Sequence, residues 1–326
     1  MRRLKVAVLG SNSLIGKELR EILAERNFPL NSLTLLDEEE VPEAITELEK
    51  EANFALGINE ESFADVELVF ICGKEEDTAR YLPWLKKSGV IALDLSHYLR
   101  PKEGFPLAIS GVNEERIKKQ KLIALPHPLA IIIASLLKPI VDRYHLREAV
   151  ITAFQPASVY GPQGLEELYQ QTVRILNFAE LPKEIFGRQL AFNIFPAVPK
   201  EEGIEEEILE EIGIALKSEL PISLKLIQVP VFHSFALSLF LILEKAPSLP
   251  ELKKALSHLP SIKLAKGREK PSGPVEAGGK NEIIVGEIKK DKRNNSAYWI
   301  WASADNLRRG SALNAVEIAE LFLSED

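Results

Sequence analysis

The chain has 326 residues, of which 46% are hydrophobic, so it can bury a large core and is long enough for two domains. Its formal net charge of −8 argues against nucleic acid or an anionic membrane surface as the main partner. A single cysteine excludes intramolecular disulfides and zinc–thiolate clusters, and every apolar run is shorter than a membrane span. The amino terminus leads directly into a strand without a signal-peptide pattern, which predicts a cytoplasmic protein. With a single cysteine, no metal site is expected either.

The first segment predicts the opening βα unit of a dinucleotide-binding fold. Residues 4–9 form a largely apolar strand, and residues 15–25 form an amphipathic helix. The linking sequence GSNSLIG has Gly10 for a tight turn and Gly16 for close helix–strand packing, while Ser13 stands where a third glycine is often found. The residues expected to line a dinucleotide site are Gly10, Ser11, Ser13, Leu14, Ile15 and Gly16.

The second strand, predicted at residues 32–36, ends in four consecutive acidic residues that begin with Asp37. A carboxylate at this position can accept a hydrogen bond from a ribose 2′-hydroxyl, whereas it repels the 2′-phosphate of NADP. The sequence therefore favours NAD over NADP. Whether any dinucleotide binds stays open, because the glycine pattern alone is consistent with either answer.

The following strands and helix extend the same pattern. Strands at residues 66–72, 90–95 and 122–125, with a helix at residues 78–88, predict a parallel, doubly wound Rossmann-type sheet. Cys72 is expected at the carboxyl end of its strand, facing the cofactor crevice. A cysteine at this position can be a nucleophile, or it can simply be a small residue that packs in the core.

Pro126, His127 and Pro128 form a corner between the short strand and a buried helix predicted at residues 129–137. Such corners often hold nucleophiles, because the N–H groups at a helix amino terminus lower a thiol pKa and stabilise an oxyanion. This corner carries no thiol or hydroxyl. Proline is favoured in the first turn of a helix because its missing N–H group would have no partner there in any case. The simpler interpretation is therefore that this corner only starts the helix and has no catalytic role.

From residue 147 the pattern changes and predicts a second, α+β domain with a mixed sheet. An irregular loop is expected at residues 265–280, which are rich in Gly, Pro and Lys. Strands are predicted at residues 148–154, 221–230, 237–243, 282–288 and 298–302, and helices at residues 165–179, 200–216 and 311–323.

Several segments together resemble aspartate-β-semialdehyde dehydrogenase over the whole chain. They are the turn at Gly10, LDLSHYLRP, LIALPHPLAIIIASLLKPI, TAFQPASVYGPQGLEEL, FGRQLAFNIFP and SADNLRRGSALNAVEIAE. Within this family the chain is most similar to the Usg group, which keeps the fold and loses the reacting residues. The resemblance implies a dinucleotide-binding domain at residues 1–127 and 306–326, and a catalytic-like domain at residues 128–305. It also implies a homodimer that uses the strand at residues 237–243, and a role in amino-acid biosynthesis.

The family's chemistry needs a Cys nucleophile, a His acid/base, an Arg and a Lys for the substrate, and a positioning Gln. Alignment of LPHPLA with the family's N-P-N-C-S-T places Pro128 at the Cys position. Alignment of QVPVFHSFA with R-x-P-V-x-x-G-H places Gln228 at the Arg position and Phe235 at the His position. His233, two residues earlier, is expected on the same strand face and can therefore point inward.

At the remaining family positions, some residues are the same as in the family and others differ. Glu207 aligns with the substrate-binding Lys, so an anion replaces a cation and repels a dianionic acyl phosphate. Gln155 and Arg100 keep the family's positioning Gln and phosphate-contacting Arg. Tyr160 replaces a small residue of the family's S-G-A-G turn and is expected to crowd the nicotinamide, so that NAD binds weakly.

Three classes of function follow from these residues. The first is a homologue without the family's activity, a pseudoenzyme that acts by binding a small ligand or a protein partner. The second is a semialdehyde dehydrogenase with another nucleophile, such as Cys72. The third is an oxidoreductase that transfers hydride to or from an aldehyde without a covalent intermediate. The changed residues favour the first class, and cofactor binding distinguishes the third class from it.

Overall fold

A computed structural model describes the chain in five stretches, residues 2–37, 58–117, 119–196, 203–267 and 272–323. The chain forms two compact units, of which the first comprises Met1–His127 with Ser311–Asp326 and the second comprises Pro128–Gly310. Each unit buries apolar clusters of its own, so each has the hydrophobic core that defines a domain.

The chain returns to the first unit at Ser311, five residues later than the sequence predicts. Asn306 explains the difference, because its side-chain oxygen accepts hydrogen bonds from Ser158 Oγ at 3.1 Å and from Ser234 N at 2.9 Å. These two contacts hold residue 306 in the second unit. A hydrophobic pattern cannot reveal such a polar contact.

The first unit is built on a parallel sheet of five strands. They are β1 (Leu4–Leu9), β2 (Leu30–Leu36), β3 (Leu68–Ile71), β4 (Ile91–Asp94) and β5 (Leu122–Ala124). Their order is β2-β1-β3-β4-β5, so the winding direction changes between β1 and β3. Open α/β sheets bind ligands at the carboxyl ends of the strands near such a switch point. The predicted doubly wound fold is confirmed.

The described part of the first unit contains three α-helices, namely α1 (Leu14–Glu25), α2 (Glu75–Ser88) and α8 (Leu313–Glu320). The sequence predicts one helix over residues 311–323, and the structure has a π-turn at Arg308–Ala312 before α8 and a 3-10 turn at Leu321–Leu323 after it. Arg26 at the end of α1 forms an ion pair with Glu320, with 2.6 Å between Nη2 and Oε2. Side chains of α8 join the same apolar cluster as β1 and β3, which fixes the helix on this sheet.

The second unit is built on a mixed sheet of seven strands in the order β10-β11-β12-β9-β6-β8-β7. They are β6 (Leu146–Gln155), β7 (Phe195–Pro196), β8 (Ile222–Gln228), β9 (Phe235–Leu243), β10 (Ile262–Leu264), β11 (Ile283–Lys290) and β12 (Ala297–Ala304). β6 runs parallel to β8 and antiparallel to β9. The predicted α+β domain with a mixed sheet is therefore present.

Among the described residues of this unit, five α-helices accompany the sheet, namely α3 (Pro128–Tyr144), α4 (Gly161–Leu176), α5 (Ile204–Leu216), α6 (Leu249–Leu256) and α7 (Pro274–Ala277). Helix α3 continues through Pro139, beyond its predicted end, because this proline is buried in the packed face and tertiary packing outweighs one lost hydrogen bond. The prediction of an irregular loop at residues 265–280 misses α7. The prediction also misses α6, although Ser248 and Glu251 form a capping box that is readable in the sequence.

None of the helices in the described stretches is both long enough and apolar enough to cross a membrane. Helix α3 has the longest apolar run, and its leucine and isoleucine side chains pack against the second unit's own sheet. Its hydrophobicity is therefore that of a core helix.

Candidate functional site

The glycine turn between β1 and α1 has the close backbone contacts that its sequence predicts. Gly10 has a φ of +77°, and a Cβ atom added to it would lie 2.5 Å from Gly73 N. A Cβ atom on Gly16 would lie 2.4 Å from the carbonyl oxygen of Gly10. Neither position has room for a side chain. This packing brings the start of α1 against the carboxyl end of β1.

Ser13 is the N-cap of α1, and its Oγ accepts a hydrogen bond of 2.9 Å from Gly16 N. The first turn of a helix leaves N–H groups without partners inside the helix, and in α1 these include Leu14 and Ile15. Such groups, together with the positive end of the helix dipole, form an anion site. Ser13 thus organises the turn by capping the helix.

Asp37 follows β2 and reaches back to the glycine turn. Its Oδ2 accepts hydrogen bonds from Ser11 Oγ, from Asn12 N at 3.2 Å and from Asn12 Nδ2 at 3.1 Å. Burial raises the pKa of this carboxyl group, while the bonds from Ser11 and Asn12 oppose that rise. The predicted acidic residue and the glycine turn are therefore adjacent. The rest of the acidic run, residues 38–40, lies outside the described residues.

Helix α3 begins at Pro128, the residue aligned with the family's cysteine. The next two residues, Leu129 and Ala130, are fully buried in the core of the second unit. A Cβ atom on Gly310 would lie 3.0 Å from Pro128 Cβ, so the proline ring packs closely against this backbone. Pro128 at this corner thus starts α3 and packs against the backbone of Gly310.

Two imidazole rings approach each other at the carboxyl ends of β4 and β5. The ring centres of His97 and His127 are 5.8 Å apart. Burial, with a smaller contribution from the nearby His97, lowers the pKa of His127 to about 3. Burial also lowers the pKa of His97, although the carboxylate of Asp94 opposes that change. Both rings are therefore neutral near neutral pH.

The hypothesis that Cys72 is a nucleophile in the crevice is contradicted by its surroundings. Cys72 directly follows β3, is 3% exposed and belongs to the apolar cluster of the first unit. Burial raises the pKa of its thiol far above the usual range, and the carboxylates of Asp94 and Asp37 add to that effect. Only a thiolate is a competent nucleophile, so the burial and the raised pKa both count against a nucleophilic role for Cys72.

Gln155 and Gln228 lie side by side at the ends of β6 and β8, where they are register partners. Gln155 Nε2 donates to Gln228 Oε1 at 3.3 Å, and Gln228 Nε2 donates to the Gln155 carbonyl oxygen at 3.0 Å. Both residues are buried. Gln155 Nε2 also lies 3.4 Å from the hydroxyl of Tyr160, whose ring packs edge-on against Phe186. The amide of Gln155 is thus engaged by neighbouring side chains.

Phe235, at the family's His position, is fully buried and starts β9. His233 does not share its environment, and the expectation that it points inward is wrong. It is exposed in a bend before the strand, where the alternation of strand faces does not apply. Ser234 between them, which sequence reasoning missed, has a φ of +74°, and its buried Oγ has no hydrogen-bond partner among the residues that the structure describes.

The two remaining charged positions are exposed. Arg100 lies 3.5 Å from Glu75, measured from Nη2 to Oε2, and its side chain is 44% exposed. Glu207 is on the exposed face of α5. Its neighbour Glu205 instead accepts a 2.7 Å hydrogen bond from Leu226 N, so this acidic run also anchors the helix to β8.

The predicted residues fall into two groups, one in each unit. The glycine turn and Asp37 meet in the first unit, while Gln155, Gln228 and Tyr160 meet in the second. Sequence reasoning missed Asp94, a fully buried carboxylate that accepts from Ser96 and Leu99, although the D-x-S pattern of a local turn is present. Within the described stretches, no group of three or more His, Cys, Asp or Glu side chains could hold a metal ion.

Comparisons with known proteins agree with this arrangement. Residues 137–309 match the semialdehyde dehydrogenase dimerisation domain, and residues 5–120 match the semialdehyde dehydrogenase NAD-binding domain. The chain belongs to the semialdehyde dehydrogenase family. Aspartate-semialdehyde dehydrogenase from Prochlorococcus marinus is 32% identical to this family member over 333 residues, covering 99% of the chain and 97% of that protein. The protein of the same name from Aquifex aeolicus is 30% identical over 335 residues, covering 98% of each.

A solved structure extends the likeness to the fold. The crystal structure of aspartate semialdehyde dehydrogenase II from Vibrio cholerae, complexed with ASA, superimposes on this family member with a TM-score of 0.92 at 26% identity. The match covers 100% of the chain and 99% of that structure. This semialdehyde dehydrogenase homologue thus has both domains of the family.

Proposed function

We propose that this protein is a Usg-type member of the semialdehyde dehydrogenase family that acts by binding and has lost the family's covalent catalysis. The observation that carries the proposal concerns the thiol. Pro128 begins α3 at the nucleophile position, and the only cysteine of the sequence, Cys72, is buried with a raised pKa. Without a thiolate, the thiohemiacetal on which the family's reaction depends does not form.

The proton-transfer position supports the same proposal. Phe235 at the family's His position has no group that exchanges a proton, and His233 is exposed in a bend outside the strand. General acid/base catalysis needs a titratable group within hydrogen-bond reach of the reacting atoms. Restoring a thiol would therefore leave the reaction without its acid/base.

The residues at the anion-binding positions are a third observation that supports the proposed loss of covalent catalysis. Gln228 replaces the family's Arg with a neutral amide that bonds to Gln155, and Glu207 adds a negative charge. A carboxylate or phosphate is held best by a charged, bidentate donor such as Arg. The second unit therefore lacks the cation that an acidic substrate requires at that position.

The residues at the dinucleotide site, unlike those at the catalytic positions, are suited to the role that the family gives them, which is to bind a nicotinamide dinucleotide. The glycine turn admits no side chain at Gly10 or Gly16, and the first-turn N–H groups of Leu14 and Ile15 suit a pyrophosphate. Asp37 accepts its bonds from Ser11 and Asn12 through Oδ2, so among the described residues Oδ1 is the oxygen that could accept a bond from a ribose hydroxyl. A bound nicotinamide cofactor would supply hydride transfer, and NAD is preferred over NADP.

These residues also support a second candidate, an oxidoreductase that transfers hydride between NAD and an aldehyde without a covalent intermediate. The retained turn and Asp37 favour it, whereas Phe235 counts against it because hydride transfer to a carbonyl also needs a proton donor. We propose a homodimer in either case, because the second unit carries the family's dimerisation domain.

The experiment combines activity with binding. Purified protein is assayed for phosphate-dependent change in nicotinamide absorbance with aspartate semialdehyde and each cofactor, and the fluorescence of its three Trp residues is titrated with NAD and NADP. We expect no turnover and a weak preference for NAD. A robust rate that Cys72→Ser abolishes would overturn the proposal, and turnover that survives Cys72→Ser would favour the second candidate.

A further inference from the structure

A cavity of about 350 Å³ lies in the first unit, at the amino-terminal edge of the parallel sheet. It is lined by residues at or just before the starts of β1, β3, β4 and β5, by the end of α2 and by Phe322. The dinucleotide turn lies at the other edge, where the strands end. The volume is in the range that small-molecule pockets occupy, roughly 300 to 1,000 Å³.

One part of the lining is cationic. Arg2 and Lys121 both contribute to it. Arg2 Nη2 is 2.8 Å from Glu67 Oε1, so its guanidinium is held at the cavity. Lys121 is exposed, and within the described stretches its ammonium group makes no ion pair. Because Arg2 is already paired with Glu67, the charge that attracts a ligand carboxylate comes mainly from Lys121.

The opposite charge is present in the same cavity. Glu67 Oε2 accepts a 2.9 Å hydrogen bond from Lys5 N, which fixes the carboxylate in place. That bond and the contact with Arg2 lower the pKa of Glu67, so the group is ionised at neutral pH. Helix α2 ends beside it at Ser88 and Gly89, where backbone carbonyls form the negative end of the helix dipole. Lys86 and Lys87 in the last turn of α2 offset part of that negative charge, so Glu67 is the main group that attracts an ammonium ion.

Apolar side chains complete the lining. Leu4 and Phe322 are buried, and Val66 is partly buried beside them. The space next to Gly89 is open, since a Cβ atom built there meets nothing within 4 Å. A small ligand with one carboxylate, one ammonium and a short apolar part has a partner for each of its groups.

We propose that this cavity binds a free α-amino acid with an aliphatic side chain. The ligand's carboxylate faces Lys121 and Arg2, its ammonium faces Glu67 and the end of α2, and its side chain lies against Leu4, Val66 and Phe322. The site is separate from the dinucleotide turn and independent of any catalytic activity. Because its charged partners are partly exposed, the dissociation constant is expected in the high-micromolar to millimolar range.

The test uses the full chain and three related probes in isothermal titration calorimetry. L-leucine carries both charges, leucinamide lacks the carboxylate, and 4-methylpentanoate lacks the ammonium. We expect L-leucine to bind about three- to fivefold more tightly than either analogue, with the difference reduced by salt. Equal affinity for the three probes, or no heat with 10 mM L-leucine (about ten times the weakest expected dissociation constant), would overturn the proposal.

Two variants and a control locate the site. Lys121→Gln and Glu67→Gln remove one charge each, and glutamine at residue 67 still offers an acceptor to Lys5 N. Lys138→Gln removes a lysine that pairs with Asp142 on α3, away from the cavity. We expect about a threefold loss of L-leucine affinity in each cavity variant and no change in the control. Unchanged affinity in Lys121→Gln would show that the ligand binds elsewhere, whatever the stability of Glu67→Gln.

Discussion

Gln155 Nε2 and Gln228 Oε1 lie 3.3 Å apart between the neighbouring strands β6 and β8. Gln228 returns a hydrogen bond to the Gln155 main chain, so the two residues bind each other. A buried amide that loses its partner costs about 1 to 3 kcal/mol of stability. The pair is therefore a structural contact whose removal can be measured.

Replacing Gln228 with Leu should lower the free energy of unfolding by about 1 to 3 kcal/mol, because the Gln155 amide and carbonyl then lose a partner. Urea unfolding measures this change. In the double variant Gln155→Leu/Gln228→Leu the loss should be smaller than the sum of the two single losses. Strict additivity would contradict the direct contact.

The buried imidazole of His127 should make the protein sensitive to acid. Its pKa is about 3 in the folded protein, against about 6.5 in the unfolded chain, so the unfolded state binds the proton first. Stability from this residue is present above about pH 7 and is lost as the pH falls towards 3. The full shift corresponds to about 5 kcal/mol, and partial solvent access reduces the expected loss to about 2 kcal/mol.

His127→Asn isolates this contribution. The raised pKa values of Asp94 and Asp37 act in the opposite sense, since those carboxyl groups take up protons more readily when folded. Comparing wild type with His127→Asn by urea unfolding between pH 4 and pH 8 cancels these effects. The stability difference should change in favour of the variant as the pH falls. A difference that is independent of pH would contradict a neutral, buried imidazole.

Restoring the thiol alone should not restore the family's reaction. In Pro128→Cys the sulfur would sit at the start of α3 and titrate low, yet the acid/base and the cation would still be missing. Catalytic groups that act as a unit give strongly non-additive effects, so the single variant should have no detectable rate. The combined variant with Gln228→Arg, Phe235→His and Glu207→Lys is the first for which turnover is expected. Phosphate-dependent nicotinamide absorbance is the assay.

The open face of the second unit's sheet should form the dimer contact. Val150, Phe240 and Trp299 are register neighbours across β6, β9 and β12, and Trp299 is 43% exposed. The rings of Phe240 and Trp299 are 4.8 Å apart, so they form one apolar surface. Trp299→Glu should give a monomer at micromolar concentration in light scattering, because two copies would bury like charges.

Val275→Glu is the matched control for this prediction. Val275 is 86% exposed on α7 of the same unit and lies outside the strand face. This variant should remain a dimer, since its charge would stay in solvent. A wild-type protein that is monomeric at micromolar concentration, or a Val275→Glu variant that dissociates, would contradict the assignment of the interface to the sheet.

The sequence by itself determined the class of each unit and the residue type at each position aligned with the family's reacting residues. Alternating apolar strands and amphipathic helices specify a doubly wound sheet, and β1 at Leu4–Leu9 is predicted to the residue. Hydrophobic periodicity is local, so it can be read from the order of residues alone. The identity of Pro128 likewise follows from the sequence, because no fold can give a proline a thiol.

Only the tertiary structure decided the environment of each side chain. Strand alternation placed His233 inward, yet the chain bends before β9 and exposes it. The position of Cys72 at the end of β3 was predictable, whereas its raised pKa results from burial and from carboxylates that are distant in sequence. The bond between Gln155 and Gln228 joins residues 73 positions apart. Burial, pKa and long-range hydrogen bonds depend on which strands become neighbours, and a linear pattern does not contain that information.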